Sequence, residues 1–239
     1  MLVRITNRCR MGCSHCFIED SSPTGVHMRS QVFYDVLRFQ HRIDDPVVML
    51  SGGEPFEHPS VFKFAERAKM EGFKVVALSN GMFTLDSKLL ARVVESELSI
   101  QVTHDSRYYP TKIDEDALLD LSQVTLEHCV RSVFPCSRAI KNGLVGTRLV
   151  VPCFNLRSAV RRLKGLKLAK TFLMTKGYFC TPSVNVDGSI RMGEHDRCYR
   201  VGTVEDSPNK VLCGILNAKC NRCGLEVTLS EPQQDAIRG

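Results

Sequence analysis

The sequence predicts an α/β protein: a partial (β/α)6 TIM-like barrel followed by a small cysteine-rich extension made of a β-hairpin and a helix. Short apolar runs alternate with amphipathic segments up to about residue 175, which is typical of parallel strands joined by crossover helices. From about residue 177, cysteines, glycines and short β-like runs replace that rhythm. We therefore expect a barrel over residues 1–175 and a second unit over residues 176–239.

The strands of the barrel are predicted from short apolar runs, most of them rich in β-branched residues. The first four are expected at residues 2–6, 47–51, 74–79 and 98–103. Two later candidates are residues 129–134 and 147–151. About six strand–helix units are too few to close an eight-stranded barrel, so we expect an open sheet.

The helices are predicted from apolar residues repeating at helical spacing. They are expected at residues 31–41, 59–71, 85–95, 114–121 and 156–170. Ser60, Asp86 and Asp114 stand where N-caps or first-turn residues are expected, and Gly72 stands where a helix would stop.

The composition narrows the class of protein. No run of about 18 or more apolar residues is present, so no membrane span is expected. Arg4, Arg8 and Arg10 interrupt any apolar signal segment, which predicts a cytoplasmic protein with reduced thiols. In that compartment, eleven cysteines indicate metal binding or catalysis rather than disulfide bonds.

Charge is spread unevenly along the chain. No acidic residue lies between Glu127 and Asp187, whereas that stretch holds eleven basic residues and the rest of the chain is net acidic. Such asymmetry indicates either an anionic partner or a solvated helix face with scattered surface charge.

Three cysteines, Cys9, Cys13 and Cys16, follow the first predicted strand with the spacing C-x3-C-x2-C. The C-terminal end of a parallel strand is where βα proteins place their chemistry. Three thiolates can hold a [4Fe–4S] cluster and leave its fourth iron open to a ligand. The alternatives are a zinc site with His15 as a fourth ligand, or three reduced structural cysteines.

The cysteine triplet resembles the signature of the radical S-adenosylmethionine (SAM) superfamily, and further motifs follow in the order of that family. The sequence SGGEP after the second strand is similar to its GGE motif. Two glycines let the chain approach a ligand closely and expose polar backbone groups. The resemblance implies that SAM is bound by Gly52, Gly53, Glu54 and Pro55.

Other positions match the family less specifically. Asn80 closes the third strand and Thr103 the fourth, where related enzymes contact SAM or substrate; turn formation and core packing are the alternatives. His15 stands where many relatives have an aromatic residue near the adenine, and an imidazole can also stack there. The resemblance assigns no catalytic acid, base or hydrogen-atom donor. Cys129, Cys136 and Cys153 belong to no pair with metal-binding spacing, and one of them could donate a hydrogen atom to a product radical.

The resemblance also implies a mechanism. SAM chelates the open iron, and an electron donor such as flavodoxin or ferredoxin reduces the cluster. Cleavage of SAM then yields a 5′-deoxyadenosyl radical, which abstracts a hydrogen atom from the substrate.

The C-terminal cysteines suggest a second metal site. Cys180 and Cys198 flank a predicted hairpin turn at the sequence VDGS, and Cys220 and Cys223 form a C-x2-C pair. This pattern resembles a twitch domain, the short form of the SPASM extension, because no cysteine follows Cys223. It implies an auxiliary [4Fe–4S] cluster on these four residues. A structural zinc ribbon is the alternative, and Cys213 could replace one ligand.

These observations favour an enzyme that oxidises or rearranges a small metabolite or nucleotide with help from the auxiliary cluster, and the basic stretch favours an anionic substrate. Two alternatives keep the family: a maturase that modifies peptides, and an activase of glycyl-radical enzymes. A third is a zinc-containing nucleic-acid-binding module. It leaves the GGE motif unexplained, so nucleic acid is not expected as a partner.

Overall fold

The structure, a computed structural model, describes residues 1–13, 16, 18, 20–103, 109–121, 124–127, 182–193 and 198–217. The strands in these residues are β1 (Leu2–Thr6), β2 (Val47–Gly52), β3 (Lys74–Ser79), β4 (Ser99–Thr103), β5 (Val124–Glu127), β6 (Ser183–Val184), β7 (Ser189–Arg191) and β8 (Arg200–Thr203). The α-helices are α1 (Ser30–Arg42), α2 (Val61–Met70), α3 (Ser87–Glu95), α4 (Glu115–Leu119) and α5 (Pro208–Asn217). Two 3₁₀ turns lie at Pro55–Glu57 and Met82–Leu85.

The described strands form one open sheet in the order β5-β4-β3-β2-β1-β6-β7-β8. Strands β1 to β5 are parallel to their neighbours, and β6 joins the free side of β1, also in parallel. Because all these strands point the same way, the loops that follow β1, β2 and β3 emerge at one edge of the sheet. This is the predicted open α/β barrel.

The core lies between the sheet and its helices. Val3 and Leu50 on the strands are fully buried in one large apolar cluster with helix residues such as Phe33 and Phe64, whose rings stack with centroids 4.1 Å apart. The alternate residue Leu2 belongs to a separate small cluster on the other face of the sheet. The strands therefore present two distinct faces, as the period of two requires.

The predicted strands at residues 2–6, 47–51, 74–79 and 98–103 are confirmed to within one residue at each end. Strand β5 was not predicted, and its four residues follow α4 after a short turn. The candidate strands at 129–134 and 147–151 and the helix at 156–170 lie outside the described residues.

Helix ends follow the expected chemistry at two of the three predicted caps. The carboxylate of Asp86 accepts hydrogen bonds from the backbone N–H groups of Lys88 and Leu89, and that of Asp114 accepts one from Ala117. Ser60 occupies the N-cap position of α2 without a side-chain cap bond. Gly72 lies just after α2 with a φ of +86°, as a helix-terminating glycine should.

The predicted hairpin and helix after residue 176 are present in the described residues. Strands β6 and β7 pair antiparallel around a turn in which Gly188 has a φ of +81°. Helix α5 packs closely on β8, since a Cβ on Gly214 would lie 2.2 Å from the carbonyl oxygen of Val201. This unit shares one sheet with β1, and the division between residues 175 and 176 stays a prediction.

None of the helices in the described part of the chain is both long and apolar enough to cross a membrane.

Candidate functional site

The cysteine loop and the glycine motif lie side by side at the C-terminal edge of the sheet. Thr6 at the end of β1 is in register with Gly52 at the end of β2. Beyond the strands, the N–H of Gly53 donates to the carbonyl of Thr6, and the N–H of Glu54 donates to that of Arg8, both at 2.8 Å. The backbone pairing of β1 and β2 thus continues up to the residue before Cys9.

Both glycines of the motif are required by this close approach. Gly52 has a φ of +135°, and a Cβ there would lie 2.0 Å from the carbonyl oxygen of Thr6. A Cβ on Gly53 would lie 2.3 Å from the carbonyl oxygen of Arg8. Real Cβ atoms do not come so near to backbone oxygens, so only glycine lets the two loops touch.

Glu54 ties the ends of β2 and β3 together. Its side chain is buried; Oε1 accepts hydrogen bonds from the N–H of Phe56 at 3.2 Å and from the hydroxyl of Ser79 at 2.9 Å. Its Oε2 accepts one from the N–H of Asn80 at 2.8 Å. Burial raises the pKa of Glu54 to about 7, although these three hydrogen bonds act in the opposite direction.

Asn80 connects the end of β3 to the cysteine loop. Its side-chain amide Nδ2 donates to the sulfur of Cys9 at 3.6 Å. Its Oδ1 accepts a hydrogen bond from the N–H of Met82 at 3.0 Å, which holds the amide in that orientation. Asn80 is therefore a neighbour of the first cysteine, in addition to its predicted contact with SAM.

The three N-terminal cysteines are half-buried on one loop. The N–H of Cys16 donates to the carbonyl of Cys13 at 3.3 Å, and the sulfur of Cys16 lies 3.5 Å from the hydroxyl of Ser21. Burial raises the pKa of the Cys9 thiol to about 11, and the nearby carboxylate of Glu54 opposes its ionisation further. This thiol is therefore protonated at neutral pH until a metal displaces the proton.

The donor set of the cysteine loop consists of the three thiols of Cys9, Cys13 and Cys16. Thiolates are the usual ligands of iron–sulfur clusters, and a [4Fe–4S] cluster offers a separate iron to each of them. Three thiols on one half-buried loop, with an amide donor directed at Cys9, suit the cluster.

Arg4 fixes both ends of the cysteine loop, a role that the sequence analysis missed. Its side chain is fully buried, and Nη2 donates to Oδ1 of Asn7 at 3.2 Å and to Oδ1 of Asp20 at 2.9 Å. Asn7 precedes Cys9, Asp20 follows Cys16, and Asn7 also donates to Asp20. Nη1 donates to Oδ1 of Asn185 at 3.0 Å, in the β6–β7 turn. The available signal was an arginine inside an otherwise apolar strand.

The other predicted site residues are placed only in part. Pro55 is buried at the start of a 3₁₀ turn, and Thr103 ends β4. Cys198 is half-buried, and its carbonyl accepts a hydrogen bond from Arg191 at 2.9 Å. Cys213 is exposed on α5. The roles predicted for His15, Cys180, Cys220 and Cys223 concern residues outside the described ones and stay predictions.

Two curated relatives resemble part of this chain. An S-adenosylmethionine-dependent nucleotide dehydratase of a Thermoplasmatales archaeon (strain ISO4-H5) is 33% identical over 79 residues, which are 33% of this chain and 28% of the relative. An AdoMet-dependent heme synthase of Methanosarcina barkeri (strain Fusaro / DSM 804) is 30% identical over 119 residues, 43% of this chain and 32% of the relative. The chain thus matches about a third of the length of each.

A solved structure shares the fold. The crystal structure of BtrN in complex with AdoMet and 2-DOIA superimposes with a TM-score of 0.55 at 14% identity, covering 88% of this chain and 80% of BtrN. Residues 3–117 match the family model of the Radical SAM superfamily, which implies a [4Fe–4S] cluster and SAM. The match runs from β1 into α4 and includes the cysteine loop and the glycine motif. Over residues 3–117, about half of its length, the chain is therefore similar to the radical SAM superfamily.

Proposed function

We propose that this enzyme cleaves SAM reductively and abstracts a hydrogen atom from a small metabolite or nucleotide. The observation on which this rests is the junction of the cysteine loop with the glycine motif. Backbone hydrogen bonds from Gly53 and Glu54 hold the loop against the end of β2, and Asn80 approaches Cys9 from β3. The groups that would bind the cluster and those that would bind SAM therefore share one edge of the sheet.

The roles of the residues follow from this placement. Cys9, Cys13 and Cys16 would hold the cluster, which when bound supplies the electron that cleaves SAM to the 5′-deoxyadenosyl radical. The backbone of Gly52 and Gly53 would bind the polar end of SAM, because glycines let a ligand approach the polar backbone groups closely.

The remaining predicted contacts are assigned by position. Glu54 would contribute its backbone and hold Asn80, since its own carboxylate already accepts three hydrogen bonds. Pro55, Thr103 and His15 would complete the SAM site.

A nucleotide is the substrate class that we favour. The nucleotide dehydratase that matches this chain supports it, as do the eleven basic residues in the acid-free stretch between Glu127 and Asp187. If attraction of phosphates matters, binding of a nucleoside triphosphate will weaken as salt is raised, because mobile ions screen exposed charges. Salt-independent binding would speak against an anionic substrate and favour a neutral metabolite or a peptide.

We further propose that residues 176–239 bind an auxiliary [4Fe–4S] cluster through Cys180, Cys198, Cys220 and Cys223, and that this cluster assists oxidation or rearrangement of the substrate. Supporting observations are the β6–β7 hairpin and the half-buried position of Cys198 next to it. Four thiolates leave no open iron, which suits electron transfer.

The decisive experiment measures iron and zinc after anaerobic reconstitution. Wild type should contain about eight irons, and the triple variant Cys9→Ala/Cys13→Ala/Cys16→Ala about four, because one cluster is lost. Cys213→Ala is measured beside it: both clusters should be retained if Cys180, Cys198, Cys220 and Cys223 are the four ligands, whereas a loss of about four irons would mean that Cys213 replaces one of them. Formation of 5′-deoxyadenosine from SAM should disappear in the triple variant alone.

Other iron contents would reject parts of the proposal. About four irons that fall to none, with zinc retained, would leave one catalytic cluster and a structural zinc unit. Zinc alone in wild type and variant would contradict a radical mechanism.

A further inference from the structure

A cleft of about 410 Å³ lies directly beside the cysteine loop. The charged residues that line it are Arg8, Arg10, Glu57, Asp86, Lys88 and Arg92. Four of these six are cations, and all four are exposed. The cleft is thus an open, concave surface with an excess of positive charge.

The two carboxylates of the cleft do not cancel this charge at its mouth. The side chain of Glu57 is only 6% exposed and lies below Arg8 and Arg10, with its oxygens 3.3 Å and 3.2 Å from their Nε atoms. Asp86 is engaged in capping α3. Glu57 therefore holds the two arginines in place, whereas their outer parts, 44% and 63% exposed, face the solvent.

The other side of the cleft is formed by α3. Lys88 is exposed there, and the guanidinium of Arg92 lies 4.4 Å from the centroid of the Phe62 ring, which restricts where it points. Cations on two separate elements thus face one opening.

The cationic cleft lies beside the first cysteine of the loop. Arg8 and Arg10 are the chain neighbours of Cys9, so the surface lies next to the position where the proposed cluster would bind. We propose, on the basis of the function proposed above, that this cleft is the docking surface for an acidic protein that carries single electrons. The carrier loses one electron, the cluster gains it, and no proton or covalent bond changes.

Charge complementarity is the reason for an acidic protein. Opposite potentials accelerate encounter and orient the partner, and exposed cations contribute most to that rate. A protein surface can contact both sides of the cleft at once.

The test compares two reductants on the reconstituted holoenzyme by stopped-flow absorbance of the cluster. Lys88→Glu/Arg92→Glu should slow reduction by a reduced, acidic flavodoxin about tenfold or more at low salt. Reduction by dithionite, which needs no docking protein, should be unchanged. Lys74→Glu is the matched control, since Lys74 is exposed at the opposite end of β3, and it should behave as wild type.

The possible outcomes separate this inference from the proposed function. Equal flavodoxin rates in the double variant and wild type would overturn the docking surface. So would slowing with both reductants, because that indicates damage to the cluster site. Phosphate binding lost in the variant with unchanged flavodoxin rates would instead mean a small-anion site. If wild type holds no reducible cluster, the proposed function itself fails.

Discussion

The side-chain amide of Asn80 lies 3.6 Å from the sulfur of Cys9, so the third strand reaches the first cysteine of the loop that follows β1. A hydrogen bond to a cluster sulfur stabilises the reduced, more negative state and raises the midpoint potential. This contact links the fold to the electron affinity of the site.

Loss of this hydrogen bond should lower the midpoint potential of the cluster proposed for Cys9, Cys13 and Cys16. We expect a decrease in Asn80→Ala and a larger one in Asn80→Asp, which adds negative charge but can still accept from the N–H of Met82. Redox titration followed by EPR, without SAM, measures the cluster alone. An unchanged or raised potential in both variants would show that the amide does not act on the sulfur.

Gly53→Ala should destabilise the protein and impair cluster incorporation. Its new methyl group would lie 2.3 Å from the carbonyl oxygen of Arg8, so the two loops would have to separate. We expect a loss of about 3 kcal/mol of unfolding free energy, the upper end of the usual overpacking cost, together with less iron per chain.

Gly72→Ala is the control for that experiment. Gly72 has a φ of +86°, and no atom of the described residues lies within 4 Å of its would-be Cβ, so only backbone strain of about 1–2 kcal/mol is expected, with normal iron content. Equal iron contents in the two variants would contradict a role of Gly53 in closing the loops together.

Replacement of Arg4 should be among the most damaging changes in the barrel. Arg4→Met would leave the buried side chains of Asn7 and Asn185 without their donor, and we expect a loss of about 3 kcal/mol in urea unfolding. Arg4→Lys should restore only part of this, because an ammonium group lacks the planar fork. Arg38→Met, at an exposed arginine paired with Asp35, should cost less than about 1 kcal/mol. Similar losses of unfolding free energy at Arg4 and Arg38 would contradict the role of Arg4 in fixing the ends of the cysteine loop.

Glu54 should make the metal-free protein less stable as pH rises. Its pKa is about 7 in the folded state against an ordinary value of 4.5, so the folded protein binds the proton more tightly. The stability this gives is complete below pH 4.5 and is lost as pH rises to about 7. The pKa values of His27 and His58 are lowered by burial, which gives a slope of opposite sign in part of the same range.

The pH effect of Glu54 is isolated by difference. The unfolding free energies of wild type and Glu54→Gln are measured from pH 4 to 8. The contributions of His27 and His58 are the same in both proteins, so they cancel when the two free energies are subtracted. The advantage of wild type over Glu54→Gln should therefore decrease by roughly 2–3 kcal/mol between pH 4.5 and 7. A constant difference across that range would mean that Glu54 titrates normally.

The sequence was sufficient for features with a local signal. The apolar runs of β1 and β3 specified both strands with their exact ends, and Asp86 marked the start of α3. Strand β5 was not predicted because a run of four residues shows no clear alternation of apolar and polar residues. The resemblance to the radical SAM superfamily predicted that the cysteine loop and the glycine motif act together, and the structure places the two loops in contact.

What the sequence could not indicate depends on contacts between distant residues. Nothing local predicts that Arg4 bonds to Asn185, 181 positions away, or that Asn80 reaches Cys9. The glycine motif was interpreted as a ligand contact, but the structure shows that the close approach to Thr6 and Arg8 also requires it. Such constraints arise only when the fold brings two backbones together.

The pairing of β1 with β6 has a consequence for how the chain must fold. Leu2 of β1 is in register with Ser183, so one side of the first strand acquires its neighbour only after most of the chain has left the ribosome. Until then the exposed edge of β1 can pair with other chains. The pairing of two strands that lie far apart in the sequence also slows folding. A fragment ending at residue 175 would retain that open edge permanently and should tend to aggregate.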